Sequence, residues 1–266
     1  MLKEQYSSLS LGVTIHELPE EHPMRRKVDA ALTIIRRFDE TRGKRYTMDR
    51  TGSEYMSQLL GLEYMFAHLA QQSGPPVLVD VGAGMTRGAS DLASLAEKYG
   101  LDMQATVVTP IPMDQKKVLP SDKIHLTSAE YLDGFGKESV RGILSLAAIT
   151  YSAVPELAVA RMDQVLVPGG ILKAAFSITD AVCYSPGMYL KNRAPFEKEL
   201  KNLGYGIGID DKTSEQFDIV LAVKPGGNPY LSAQALLNYD ADDYLGQIHD
   251  LVYNDNRGII NLQHFR

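Results

Sequence analysis

The stretch Val77-Leu78-Val79-Asp80-Val81-Gly82-Ala83-Gly84 constrains this chain more than any other. An apolar, β-branched run suits a parallel strand covered on both faces. It ends in an acid and then two glycines one residue apart. Glycine there admits positive φ and lets a ligand lie against bare backbone. Arg87-Gly88-Ala89-Ser90-Asp91-Leu92-Ala93 then reads as the opening of a helix. Strand, tight turn and helix in this order form the ligand-binding corner of an open α/β sheet.

The residues at the corner narrow the ligand. A dinucleotide site of the Gly-x-Gly-x-x-Gly type would put glycine where Arg87 stands, and a phosphate-binding Walker loop would need Gly-Lys-Ser/Thr. Asp80 is a poor neighbour for a pyrophosphate and a good one for a cation.

The rest of the chain builds a sheet around this strand. Expected strands cover Gln104–Thr109, Lys123–Thr127, Gly142–Leu146 and Ile171–Phe176, then Gly204–Ile209 and Phe217–Val223. With Val77–Asp80 that makes seven. Helical periodicity marks 87–99, 154–166 and 195–203. The connector between the last two strands is too short for a crossover helix, so the last strand is expected antiparallel. Two helices are expected ahead of the first strand. One runs from Arg25 to about Phe38 with Val28, Ala31, Leu32 and Ile35 on one face. The other starts at Gly52-Ser53-Glu54, with Ser53 as N-cap, and runs through Leu69. Domain boundaries follow: a helical cap over 1–54, a ligand-binding domain over 55–225, and a helical tail over 226–266.

Composition excludes other classes. No run of about 18 apolar residues is present to span a membrane, and the N-terminus has no apolar signal core. Cys183 is the only cysteine, which rules out an internal disulfide or a cysteine-based zinc cluster and fits a reducing, cytoplasmic setting. His16, Glu17 and His22 are interrupted by Pro19 and read as solvated loop. A net charge of −6 argues against a broad nucleic-acid footprint, and Arg36–Arg45 is a short basic stretch that reads as a solvated loop.

The motifs together resemble the class I S-adenosylmethionine-dependent methyltransferases. Val77–Gly84 is similar to that family's first motif. Ser128-Ala129-Glu130 resembles the Asp-Ala-Glu turn after strand three. Arg161 to Leu172, with Val167-Pro168-Gly169-Gly170, is similar to the family's helix and Pro-Gly-Gly turn after strand four. The resemblance covers about 55–225. It implies a Rossmann-like, seven-stranded, mostly parallel sheet with helices on both faces and an antiparallel last strand.

It also implies S-adenosylmethionine as cofactor and a small-molecule methyl acceptor as partner, with a homodimer left open. By position, Gly82, Ala83 and Gly84 would lie along the methionine and ribose, and Asp80 would reach the amino acid end. Ala129 would flank the adenine with Ser128 nearest its exocyclic amine, Glu130 would belong to the same cofactor-binding turn, and Leu146 and Ala147 would line the methyl-donor side. Tyr151 is the candidate catalytic residue beside the acceptor. Tyr46 and Tyr55 are candidates to close over the pocket, and His125 reads as structural. No metal site is expected.

Two positions depart from the family pattern. Thr109 stands where an acid usually holds the ribose hydroxyls, with Asp114 as a substitute from the next turn. Ser128 replaces the usual Asp. A hydroxyl offers a neutral hydrogen bond of about 1 kcal/mol against about 1.5–3 for a charge-assisted one. These departures keep open the alternative of a methyltransferase-like fold serving as a non-catalytic binding or regulatory subunit.

Overall fold

The computed structural model describes residues 12–42, 50–59, 61–111, 118–177, 193–210 and 217–227, without the side chains of 38–42 and 177. The strands are β1 (Val77–Asp80), β2 (Asp102–Val107), β3 (Ile124–Leu126), β4 (Val140–Leu146), β5 (Leu166–Ser177), β6 (Gly206–Asp210) and β7 (Phe217–Val223). They form one sheet in the order β3-β2-β1-β4-β5-β7-β6. β1 pairs parallel with β2 and β4. β7 runs antiparallel to both β5 and β6. Among the described strands it alone is reversed, as the short connector requires.

The helices are α1 (Pro23–Arg42), α2 (Gly52–Leu59), α3 (Leu62–Ala70), α4 (Arg87–Lys98), α5 (Pro155–Val165) and α6 (Ala194–Asn202). Alternation along each strand divides the core in two. Leu78, Leu144, Ile171 and Leu221 pack with α2, α3 and α4 on one face. Val79, Ile143, Leu172 and Val220 pack with α5 and α6 on the other. Val28, Ala31 and Leu32 of α1 join Ile15, Leu18 and Leu157 in a third cluster.

Three expectations about local structure are corrected. The helix read through Leu69 is two helices, because Gly61 takes φ 62° and breaks the run before α3. The cap of α2 is Thr51 rather than Ser53. Thr51 N–H donates to Glu54 Oε2 at 2.6 Å while Glu54 N–H donates to Thr51 Oγ1 at 3.3 Å, a reciprocal capping box. Third, Val167–Gly170 continues β5 from Leu166 rather than forming a separate turn. Tyr46, Asp114, Cys183 and the tail from 228 lie outside the described residues. No described helix is long and apolar enough to cross a membrane.

Candidate functional site: a roofed slot at the strand-order reversal

The sheet order reverses at β1, whose neighbours β2 and β4 lead away on opposite sides. The corner that follows β1 is tied to both. Val81 N–H donates to the Leu144 carbonyl at 2.8 Å and Ala83 N–H to the Thr106 carbonyl at 3.0 Å. Gly82 N–H donates to Thr106 Oγ1 at 2.9 Å. Gly82 has φ +75°, and a Cβ there would stand 2.4 Å from Ala148 Cβ. The close approach of the β4 exit therefore requires glycine, independently of any ligand.

Beside this corner is a slot of about 60 Å³. Val81 and Gly82 contribute from just past β1, Thr106 and Val108 from the end of β2, Thr127 to Glu130 from just past β3, and Ala148, Tyr151 and Ser152 from the β4 exit. Its roof is the apolar stripe Val28, Ala31, Leu32 and Ile35 of α1. Arg36 Nε donates to the Val108 carbonyl at 3.0 Å, and Tyr131 OH donates to Asp29 Oδ1 at 2.6 Å. His16 adds a contact to the Tyr131 carbonyl at 3.0 Å. Outside the roof, a polar groove of about 310 Å³ runs between α1 and the β3 edge, past Asp29, Arg36 and Asp133.

Glu130 is the girder of the slot and is 3% exposed. Its Oε2 accepts from Ser128 Oγ at 2.9 Å, and its Oε1 accepts from Ser152 Oγ at 2.9 Å and Ala153 N–H at 3.0 Å. The carboxylate is thus committed to holding the β3 and β4 exits together. With its proton given to Glu130, the Ser128 hydroxyl retains lone pairs that can accept from a ligand amine.

The other candidate residues are brought to the same end of the sheet but not onto the slot wall. Thr109 is buried just past β2. Ala83, Leu146 and Ala147 pack in the core on the α2 to α4 face. Ala147 holds φ +59° with its N–H on the Ala175 carbonyl at 2.9 Å, and Thr150 Oγ1 donates to its carbonyl at 2.6 Å. A non-glycine residue at positive φ marks local strain of the kind found beside ligand sites.

Asp80 is fully buried. Its Oδ2 accepts from Tyr55 OH at 2.5 Å, while Oδ1 has no partner among the described residues. Burial pushes its carboxyl up to about 7, against the smaller opposite effect of the Tyr55 hydrogen bond. Tyr55 therefore lies under the corner rather than over the pocket. His125 contacts Gln104 Oε1 at 2.8 Å and lies against Phe135, ring centroids 4.3 Å apart and planes tilted by 49°. No described group of His, Cys, Asp or Glu is placed to hold a metal.

Thr106, Ala148 and Ser152 are parts of the site that sequence reasoning did not single out. Thr106 carried a signal in retrospect, since a hydroxyl inside an apolar strand at the register of a glycine corner needs a partner.

Residues 79–174 match the model of the methyltransferase domain family. The 1,6-didemethyltoxoflavin-N1-methyltransferase of Burkholderia thailandensis, solved with 1,6-didemethyltoxoflavin and S-adenosylhomocysteine, superposes with a TM-score of 0.52 at 17% identity. The match covers 78% of this chain and 92% of that one. The geranyl diphosphate C-methyltransferase of Streptomyces coelicolor A3(2), solved with Mg2+, geranyl diphosphate and S-adenosylhomocysteine, gives a TM-score of 0.51 at 13% identity, over 73% of this chain and 98% of that one. No curated relative matches the sequence. Residues 79–174 thus match a methyltransferase domain, and the seven-stranded sheet shares its fold with the two solved methyltransferases.

Proposed function

We propose that the protein is an S-adenosylmethionine-dependent methyltransferase acting on a small-molecule acceptor. The carrying observation is the convergence of four strand exits and the α1 stripe on one slot beside Gly82. The donor set suits the cofactor. Asp80 Oδ1, buried without a partner, complements an ammonium. Ala129, Val108, Leu32 and Ile35 make an apolar slot for a purine, with Ser128 as acceptor for its amine. On a scale where one water needs roughly 10–15 Å³, the enclosed 60 Å³ holds only a few waters. A nucleoside needs more room than this, and outward movement of α1, the roof, would supply it.

Bound there, S-adenosylmethionine supplies a methyl group on a sulfonium for in-line displacement. The chain's part is positioning, which is a large share of such catalysis. Gly82 and Gly84 offer backbone without side chains, Asp80 takes the amino acid end from behind the corner, and Leu146 and Ala147, packed in the core, back the donor side. Glu130 fixes Ser128 and the turn at Ser152. Thr109 takes the ribose end, and Tyr151 stands at the acceptor side as the candidate acid or base. The net charge of −6 and the two small-molecule enzymes of like fold favour a small acceptor over a nucleic acid.

A second reading, a binding or regulatory subunit, draws on Thr109 and Ser128, neither of which supplies a carboxylate to the nucleoside. Titration calorimetry with S-adenosylmethionine and S-adenosylhomocysteine tests the first. Binding of either supports it, and absence of binding at millimolar ligand overturns it. Stable copurification with a partner and no bound nucleoside would favour the second.

A further inference from the structure

The contact between Tyr55 and Asp80 is built with unusual closeness. α2 and α4 meet through two glycines. A Cβ on Gly52 would stand 2.6 Å from Asp91 Cβ, and one on Gly88 would stand 2.4 Å from Tyr55 Cε2. Asp91 Oδ2 also accepts from Gly52 N–H at 3.0 Å. Together these pin the first turn of α2 on α4 and press the Tyr55 ring over Gly88. The phenol is 3% exposed and its hydroxyl ends on Asp80 Oδ2.

We propose that Tyr55 is a positioning residue for the amino acid end of the cofactor: by fixing Asp80 Oδ2 it leaves Oδ1 as the acceptor for the ligand's ammonium. The inference rests on the function proposed above and adds a residue outside the slot to it. A hydrogen-bond donor on Oδ2 also favours the ionised form of the carboxyl. Other charged groups on the surrounding elements are Lys173, in the same cross-sheet row two strands away beyond Leu144, Glu54 on α2, which accepts from Thr51, Arg87 and Asp91 on α4 with Glu97 and Lys98 at its far end, and Arg50 ahead of α2, whose guanidinium lies over Phe217. Lys173 is fully buried on the face α2 covers.

An ammonium pairs with an ionised Asp80, and burial holds that group near neutrality. Binding below pH 7 therefore releases a proton from the protein, and affinity climbs by up to about tenfold per pH unit until it levels off. Tyr55→Phe removes the donor, raises the Asp80 midpoint and shifts this curve to higher pH. Asp80→Asn makes the affinity weak and flat with pH.

The experiment is calorimetry of the full chain with S-adenosylhomocysteine between about pH 5.5 and 7.5, where an α-amine of pKa about 8 or above stays largely protonated. Buffers of different ionisation heat count the protons. 5′-Methylthioadenosine, which lacks the amino acid end, serves as the second probe. The expected result is a rising curve for S-adenosylhomocysteine that Tyr55→Phe displaces, and a flat one for methylthioadenosine in every variant. A wild-type curve without slope overturns the inference, as does a Tyr55→Phe curve lowered equally at all pH values, which is the mark of a merely structural tyrosine. Both of those results leave the cofactor assignment standing. If Tyr55→Phe fails to fold, Gly88→Ala, whose Cβ would stand 2.4 Å from Tyr55 Cε2 and displace the ring, replaces it: a curve moved to higher pH supports the inference and an unmoved one overturns it. If wild type binds neither probe at any pH, the proposed function and the inference fall together.

Discussion

Glu130 Oε1 accepts from Ser152 Oγ at 2.9 Å, joining the exit of β3 to the exit of β4 across the floor of the slot. With Ser128 on its other oxygen and the Ala153 N–H beside Ser152, the carboxylate satisfies three donors in a buried place. Glu130→Ala strands all three. A loss of about 3 kcal/mol or more is expected in urea unfolding, together with weaker binding of S-adenosylhomocysteine. Glu130→Gln, which retains one acceptor oxygen, should cost less on both measures.

Gly82 and Ala148 test the corner. A Cβ at 82 meets Ala148 Cβ at 2.4 Å and must also sit at φ +75°. Gly82→Ala should destabilise the protein by roughly 1–2 kcal/mol from backbone strain, with a further cost from the clash. Ala148→Gly in the same chain should recover the clash component and leave the strain. A double-mutant cycle in thermal unfolding measures the coupling, and additive effects would deny the contact.

Lys173 and Asp80 set opposite slopes in stability against pH. Lys173 is fully buried, and desolvation lowers it from 10.5 to about 7, against the attraction of Asp210. Its folded form binds protons less well than the unfolded chain, so stability present above 10.5 is lost as pH falls towards 7. Asp80, raised from 3.8 to about 7, contributes stability at low pH that is lost as pH rises towards 7. The two together predict a dip near neutrality in denaturant-derived stability. Lys173→Met should stabilise the protein at neutral pH by about 1–4 kcal/mol and flatten the alkaline arm. Asp80→Asn should flatten the acid arm.

The roof should open more readily when its ties are cut. Tyr131→Phe removes the hydrogen bond to Asp29, and Arg36→Ala removes the one to the Val108 carbonyl. Each is worth about 0.5–1.5 kcal/mol. Amide hydrogen exchange over Val28–Arg36 should quicken by about three- to tenfold, and ligand association should quicken with it. Unchanged exchange in the double variant would place the restraint on α1 elsewhere.

The sheet was legible in the sequence because its evidence is local. Val77–Val79 and Gly142–Leu144 are runs of apolar residues and glycine buried on both faces, as central parallel strands are, and the connector after Asp210 is too short for a helix. The corner was legible for the same reason, since Gly82 and Gly84 stand two and four residues after Asp80. What could not be read was which side chains meet across the fold. Ser128 and Glu130 were grouped with the adenine by resemblance, but that Glu130 spends its oxygens on Ser152 and Ala153 depends on a contact 22 residues away. From the sequence Tyr55 is only a candidate to close over the pocket, since it stands in a cap-like helix ahead of the first strand. Its place beneath the corner is fixed by Gly88, in a helix that follows β1. The stripe on α1 was visible as a helical period, but period alone does not say that it roofs the slot.

The central claim is that a nucleoside lies between α1 and the Ser128–Ala129 turn, against the backbone at Gly82. The most direct measurement is a crystal structure of the full chain at saturating S-adenosylhomocysteine. The account predicts α1 displaced outward, with the purine between Ile35 and Ala129 and the amino group on Asp80 Oδ1. Ligand bound elsewhere, with Val28, Leu32 and Ile35 still closed over an empty slot, would contradict it.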